Sequence, residues 1–128
     1  MTGARRIPPP LPTLRAALWA LRATASARRQ LAGDAASAAA PALPPVPPGA
    51  RAGPLGVAAA LRVSRANSLV RATVRQAWFA AHGELRDVVI GVKAPAEGFA
   101  AHAWLEGDAP CHSVGFHELL RRPASSAR

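Results

Sequence analysis

The chain has 128 residues, enough for one small domain, and 16 Lys and Arg against 7 Asp and Glu give a formal net charge of +9. The single cysteine, Cys111, excludes an internal disulfide framework, and no apolar run approaches the roughly 20 residues that cross a bilayer. Hydrophobic residues make up 50%, but much of that is alanine and aromatics are only 5%, so a core of normal density is expected mainly in the C-terminal half, where Leu, Val, Ile, Phe and Trp collect.

The basic side chains are almost all Arg; Lys93 is the only lysine. They are scattered rather than gathered into one run, aromatic stacking platforms are missing, and Arg, Ala, Pro and Gly are enriched together, as a GC-rich coding sequence enriches them. No nucleic-acid partner is therefore expected; such a surface is better suited to steering an acidic peptide or protein. Pro8-Pro9-Pro10 follows Arg5-Arg6, and Arg15 and Arg22 interrupt the apolar stretch before Ala25-Ser26-Ala27, so a secretory signal is not expected and a cytoplasmic location is.

In chain order, residues 1–11 are a Pro-rich lead. Leu14, Leu18, Leu21 and Ala25 recur at helical spacing from about Pro12 to Leu31, which predicts an Arg-rich helical arm over residues 1–32 with those leucines on its docking stripe. Residues 33–54 read as a semi-rigid Pro/Ala-rich linker. A short helix is predicted from Leu55 to about Arg65, with Leu61 and Val63 apolar. A stronger one runs from about Asn67 to His82, its continuous face being Val70, Val74, Ala77, Trp78 and Ala81. Asn67 suits the N-cap and Gly83 the left-handed C-terminal position. Asp87-Val88-Val89-Ile90-Gly91-Val92 and Phe99-Ala100-Ala101-His102-Ala103-Trp104-Leu105-Glu106 read as two strands of a hairpin. Alternation puts His102, Trp104 and Glu106 on one face and Ala101, Ala103 and Leu105 on the other, with Trp104 and Trp78 packing the hairpin on the helix. A third strand is expected from Cys111 to Phe116, a turn or short helix from Phe116 to Arg122, and a disordered tail over 123–128. The class is α+β, with residues 55–122 as the main domain.

Ser68 stands at the start of the strong helix, where the dipole and free N–H groups favour an anion. A histidine on a facing strand, His102, could take its proton, and Asp108 or Glu106 could orient the imidazole. Cys111 and His112 are adjacent and point to opposite faces of a strand, so they cannot serve each other. His102, Cys111, His112 and His117 lack any standard zinc spacing, so neither a metal nor a cofactor is expected.

Asn67-Ser68-Leu69-Val70-Arg71-Ala72, the Trp78 helix, Val89-Ile90-Gly91-Val92 and Ala101-His102-Ala103-Trp104-Leu105-Glu106 together resemble the transglutaminase-like leader peptidases of lasso-peptide biosynthesis, over roughly residues 55–118. The resemblance implies a papain-like core of helix on a small antiparallel sheet. It implies removal of a precursor leader peptide, together with a small leader-recognition protein and a separate lasso cyclase. It places Ser68 where that family has its catalytic Cys, His102 as base, and Asn67 and Trp104 beside the substrate. The family's third residue is an Asp beyond the His-Ala-Trp strand; no Asp follows Pro110 here, and Asp108 stands nearer than that pattern has it.

Overall fold

The computed structural model describes residues 11–33, 42–47, 53–93, 100–110 and 113–124. Three helices precede three strands: α1 (Leu11–Gly33), α2 (Gly53–Ser64), α3 (Ser68–Ala81), β1 (Val88–Lys93), β2 (Ala100–Leu105) and β3 (His117–Arg122). The expected α+β class is the one observed.

Helix α3 forms as its local sequence dictates. The Asn67 side chain accepts from the Val70 amide at 2.9 Å. At the other end Gly83 adopts φ +87°, its amide donates to Ala80 and that of Glu84 to Phe79. This is the Schellman pattern, which a residue without Cβ adopts without strain. Of the predicted apolar face, Val70, Val74 and Trp78 are buried, while Ala81 is exposed.

Helix α1 docks by a different face from the one its leucines mark. Ala16, Trp19, Ala20, Ala23, Thr24, Ala27 and Leu31 are buried, whereas Leu14, Leu18 and Leu21 are 50%, 51% and 44% exposed. The reason is the closeness of α1 to α2. At Gly56 an added Cβ would lie 2.4 Å from the Thr13 carbonyl oxygen, so the two backbones nearly touch. A leucine stripe would hold the axes apart; an alanine face lets them meet. Leu61 of α2 is buried while Val63, also expected to be apolar-facing, is exposed, because residues two apart on a helix point to nearly opposite sides. Trp19 then packs against Trp78 with centroids 5.5 Å apart and the rings tilted by 46°, tying α1 to α3. Trp78 therefore packs on α1, not on the hairpin that the sequence pattern suggests. Of the predicted linker, residues 42–47 are irregular, as proline demands, but they lie against α1: Trp19 Nε1 donates to the Pro44 carbonyl at 2.9 Å, and the Gln30 amide both donates to and accepts from Ala42.

The sheet has the order β2-β1-β3, antiparallel throughout, with Val88 opposite Leu105 and Gly91 opposite His102. The central strand is the near-continuous apolar run, as burial on both faces requires. Val88, Ala103 and Leu105 pack with Ala72 of α3, partly covered by Leu69, Phe79 and Ile90. Residues 113–116 form turns, with Gly115 at φ +84°, and the third strand follows them at 117–122. The sequence expectation for Phe116–Arg122 is a turn or short helix; the open edge of β1 supplies backbone partners and overrides the local helical pattern. Residues 1–10 of the Pro-rich lead, Cys111, His112 and residues 125–128 of the predicted tail lie outside the described residues.

Candidate functional site

A groove of about 340 Å³ opens where the start of α3 meets the outer edge of β2, with the end of α2 as its far wall. Ser68, His102, Trp104 and Asp108 all line it.

Ser68 is the first residue of α3, held there by the Asn67 cap. Its Oγ accepts a hydrogen bond from the Ala103 amide at 3.0 Å. That amide belongs to an edge strand and points away from β1, so the hydroxyl fills a donor the sheet leaves over. The next outward amide, Leu105, donates to Asp108 Oδ2 at 3.0 Å. The edge of β2 is thus stapled to α3 and to the following turn by two side-chain acceptors.

His102 lies on the sheet face opposite Ala103 and Leu105, hence on the side away from α3. Ser68 meets the strand at its edge, at the residue after His102, and both residues line the groove. The imidazole sits among rings: Trp104 with centroids 6.0 Å away and nearly parallel, and Phe116 at 5.4 Å. Gly91, opposite His102, makes this possible. An added Cβ there would stand 2.7 Å from Trp104 Cη2 and 3.1 Å from the His117 carbonyl oxygen. Trp104 is therefore half-buried on the outer sheet face and lines the groove, instead of packing the hairpin on α3.

The acidic residues are committed elsewhere. Asp108 Oδ1 accepts from Arg75 at 2.8 Å and Arg86 at 3.2 Å, and Oδ2 accepts from Arg75 at 2.9 Å and from the Leu105 amide. With two bonds to each oxygen the carboxylate is filled. Burial pushes its pKa up, but the Arg75 hydrogen bonds, the Leu105 amide and the charges of Arg75 and Arg86 outweigh this and hold it at about 2. These are the bonds of a turn clamp, not those of a residue that orients His102. Glu106, the other acid considered for that role, pairs with Arg121, which also bridges Asp87 and Glu118. The Asn67 side-chain carbonyl is engaged in capping, and Asn67 is not among the groove-lining residues.

Sequence reading missed the three arginines of the groove, Arg62, Arg71 and Arg75. Part of the signal was available, because positions 68, 71, 72 and 75 share one face of a helix. Among the described residues no three His, Cys, Asp or Glu side chains come together as a metal cage, and no helix is long and apolar enough to cross a membrane.

What the arrangement can do chemically follows from its parts. A hydroxyl at a helix N-terminus and an imidazole-bearing residue on the same groove are two components of nucleophilic attack at a carbonyl, whereas the Ala103 amide is spent on the hydroxyl itself and not on an oxyanion. No curated protein and no solved structure matches the chain. The family model described as the transglutaminase-like superfamily matches residues 10–121, which takes in α1 and nearly all of β3. By that match, over most of its length, the chain belongs to the transglutaminase-like superfamily.

Proposed function

We propose that this chain works at leader-peptide removal in the maturation of a ribosomally made lasso peptide. It does so as a transglutaminase-like peptidase scaffold with Ser68 in the nucleophile slot and His102 as base. Its partners are the precursor's leader, a small leader-recognition protein and, downstream, the lasso cyclase. The observation that carries the reading is that Ser68 at the helix start and His102 on the strand line one groove. The motif resemblance over residues 55–118 supplies the substrate class.

Serine changes the rate expected. A hydroxyl is far less acidic than a thiol, and a helix dipole does not close that gap. A second reading therefore stands beside the first: a groove that binds leader or partner without cutting it. The bond from the Ala103 amide to Ser68 favours it, because a hydroxyl so placed already serves as a staple.

One experiment separates them. The purified chain, its leader-recognition partner and the precursor are incubated and the products weighed by mass spectrometry. The peptidase reading expects slow cleavage that Ser68→Cys accelerates by about tenfold or more and His102→Ala abolishes. No cleavage by either the parent chain or its Ser68→Cys variant, with leader affinity intact in Ser68→Ala, leaves the binding module.

A further inference from the structure

The groove holds more positive charge than its surroundings neutralise. Arg75 and Asp108 compensate each other, with Arg86 adding a further cation at the same carboxylate. Arg62, in the last turn of α2, and Arg71, in the first turns of α3, face the same groove and form no salt bridge with a carboxylate among the described residues. Arg71 is nonetheless fixed: its Nε donates to the Ala66 carbonyl at 2.9 Å, while its terminal nitrogens make no hydrogen bond among the described residues. Its location works against the isolated chain. An arginine near the positive end of a helix whose first turn has no acidic residue is repelled by the helix dipole. The same groove is lined by the apolar Ala58, Leu61, Ala66 and Ala72. Two guanidinium groups over such a floor match a carboxylate carried on a short aliphatic stem.

We propose that Arg62 and Arg71 bind the side-chain carboxylate of a glutamate or aspartate in a peptide lying along this groove, so that the site selects acidic peptides. The identification of the ligand as a peptide rests on the processing function above; the carboxylate site does not depend on Ser68 being reactive. Arg62 and Arg71 act here as specificity-determining residues. Arg75 is excluded, because Asp108 already fills its fork.

The test uses the full chain, labelled with ¹⁵N, and two end-blocked pentapeptides, acetyl-Ala-Leu-Glu-Gly-Ala-amide and its glutamine counterpart. The glutamate peptide is expected to shift the amides of Ser68, Arg71 and Ala103 and to bind about tenfold more tightly than the glutamine peptide, the effect of one charge-assisted pair. Arg62→Gln and Arg71→Gln should each remove most of that difference while leaving the glutamine peptide's affinity unchanged. Arg29→Gln, an exposed position on α1, should remove none of it. Arg62 makes no hydrogen bond that a change would break among the described residues, so its variant keeps the test valid if Arg71→Gln unfolds. Equal affinity for the two peptides, shifts centred elsewhere, or no binding by either overturns the proposal. So does a glutamine peptide with a free C-terminus that matches the glutamate peptide, which would assign the arginines to a chain end. Precursor cleavage by the Ser68→Cys chain without glutamate preference removes the carboxylate site alone; glutamate preference without any cleavage removes the peptidase reading alone.

Discussion

Asp108 decides the shape of the groove rather than its chemistry. One carboxylate closes the turn after β2, satisfies the Leu105 amide and holds Arg75 and Arg86, with only 7% of its side chain exposed. Its pKa falls from an ordinary 3.8 to about 2 on folding, so the clamp stabilises the fold at every pH above about 4 and is lost as pH falls toward 2. At neutral pH the contribution is about 2 kcal/mol. Asp108→Asn should lower the free energy of unfolding by about that amount at pH 7, and the gap between variant and parent should narrow steadily below pH 4. Urea melts at a series of pH values measure it; a constant gap would mean that the carboxylate's charge is not the stabilising feature. Thr24 offers the opposite case. Its hydroxyl is buried on the docked face of α1 and has no hydrogen-bond partner among the described residues. Thr24→Val keeps the shape and removes an unsatisfied polar group, so it should raise stability by about 1 kcal/mol, read as a higher thermal midpoint with unchanged far-UV circular dichroism.

The contact between α1 and α2 is set by Gly56, and this makes a single methyl group costly. Gly56→Ala must move backbone, since the clash is with the Thr13 carbonyl and the Ala17 amide nitrogen rather than with a flexible side-chain end. A loss of about 1–3 kcal/mol is expected, along with a changed environment for Trp19, visible in its fluorescence. The same contact explains where the sequence could and could not be read. Helix α3 was legible to within a residue at each end because its cap and its C-terminal glycine are local signals, and Val70, Val74 and Trp78 of its expected apolar face are buried. The hairpin was legible through its alternation, which sets His102 and Trp104 on one face and Ala103 and Leu105 on the other; which of those faces α3 covers was not, because Trp104 marks hydrophobicity and the helix packs on the smaller Ala103 and Leu105. The face of α1 was not, because leucine marks hydrophobicity and not closeness of approach, and closeness was decided by a glycine some forty residues away. Strand β3 was not, because His-Glu-Leu-Leu-Arg-Arg has no strand signal until an open sheet edge is offered. In the site, Ser68 and His102 were legible as motif residues. That Arg62 and Arg71 line one groove was not, since it depends on the elbow between α2 and α3, where Arg65 takes φ 53°.

At the scale of the whole molecule, two of the three helices meet the outer edge of the sheet in one groove. α2 supplies the far wall, α3 the hydroxyl at its start, and β2 the imidazole and the amide that meets the hydroxyl. The net charge of +9 gives the surface a general attraction for anionic partners, and the groove concentrates it. The proposed peptidase chemistry requires Ser68 and His102 to act on one another across that groove. Its most direct test replaces Ser68 with cysteine in a Cys111→Ala background and follows the rate of alkylation against pH. A thiol at this helix start, paired with His102, should titrate well below the usual value of about 8.5, and His102→Ala should move it back up. A thiol that titrates at the ordinary value and ignores His102 would contradict the account.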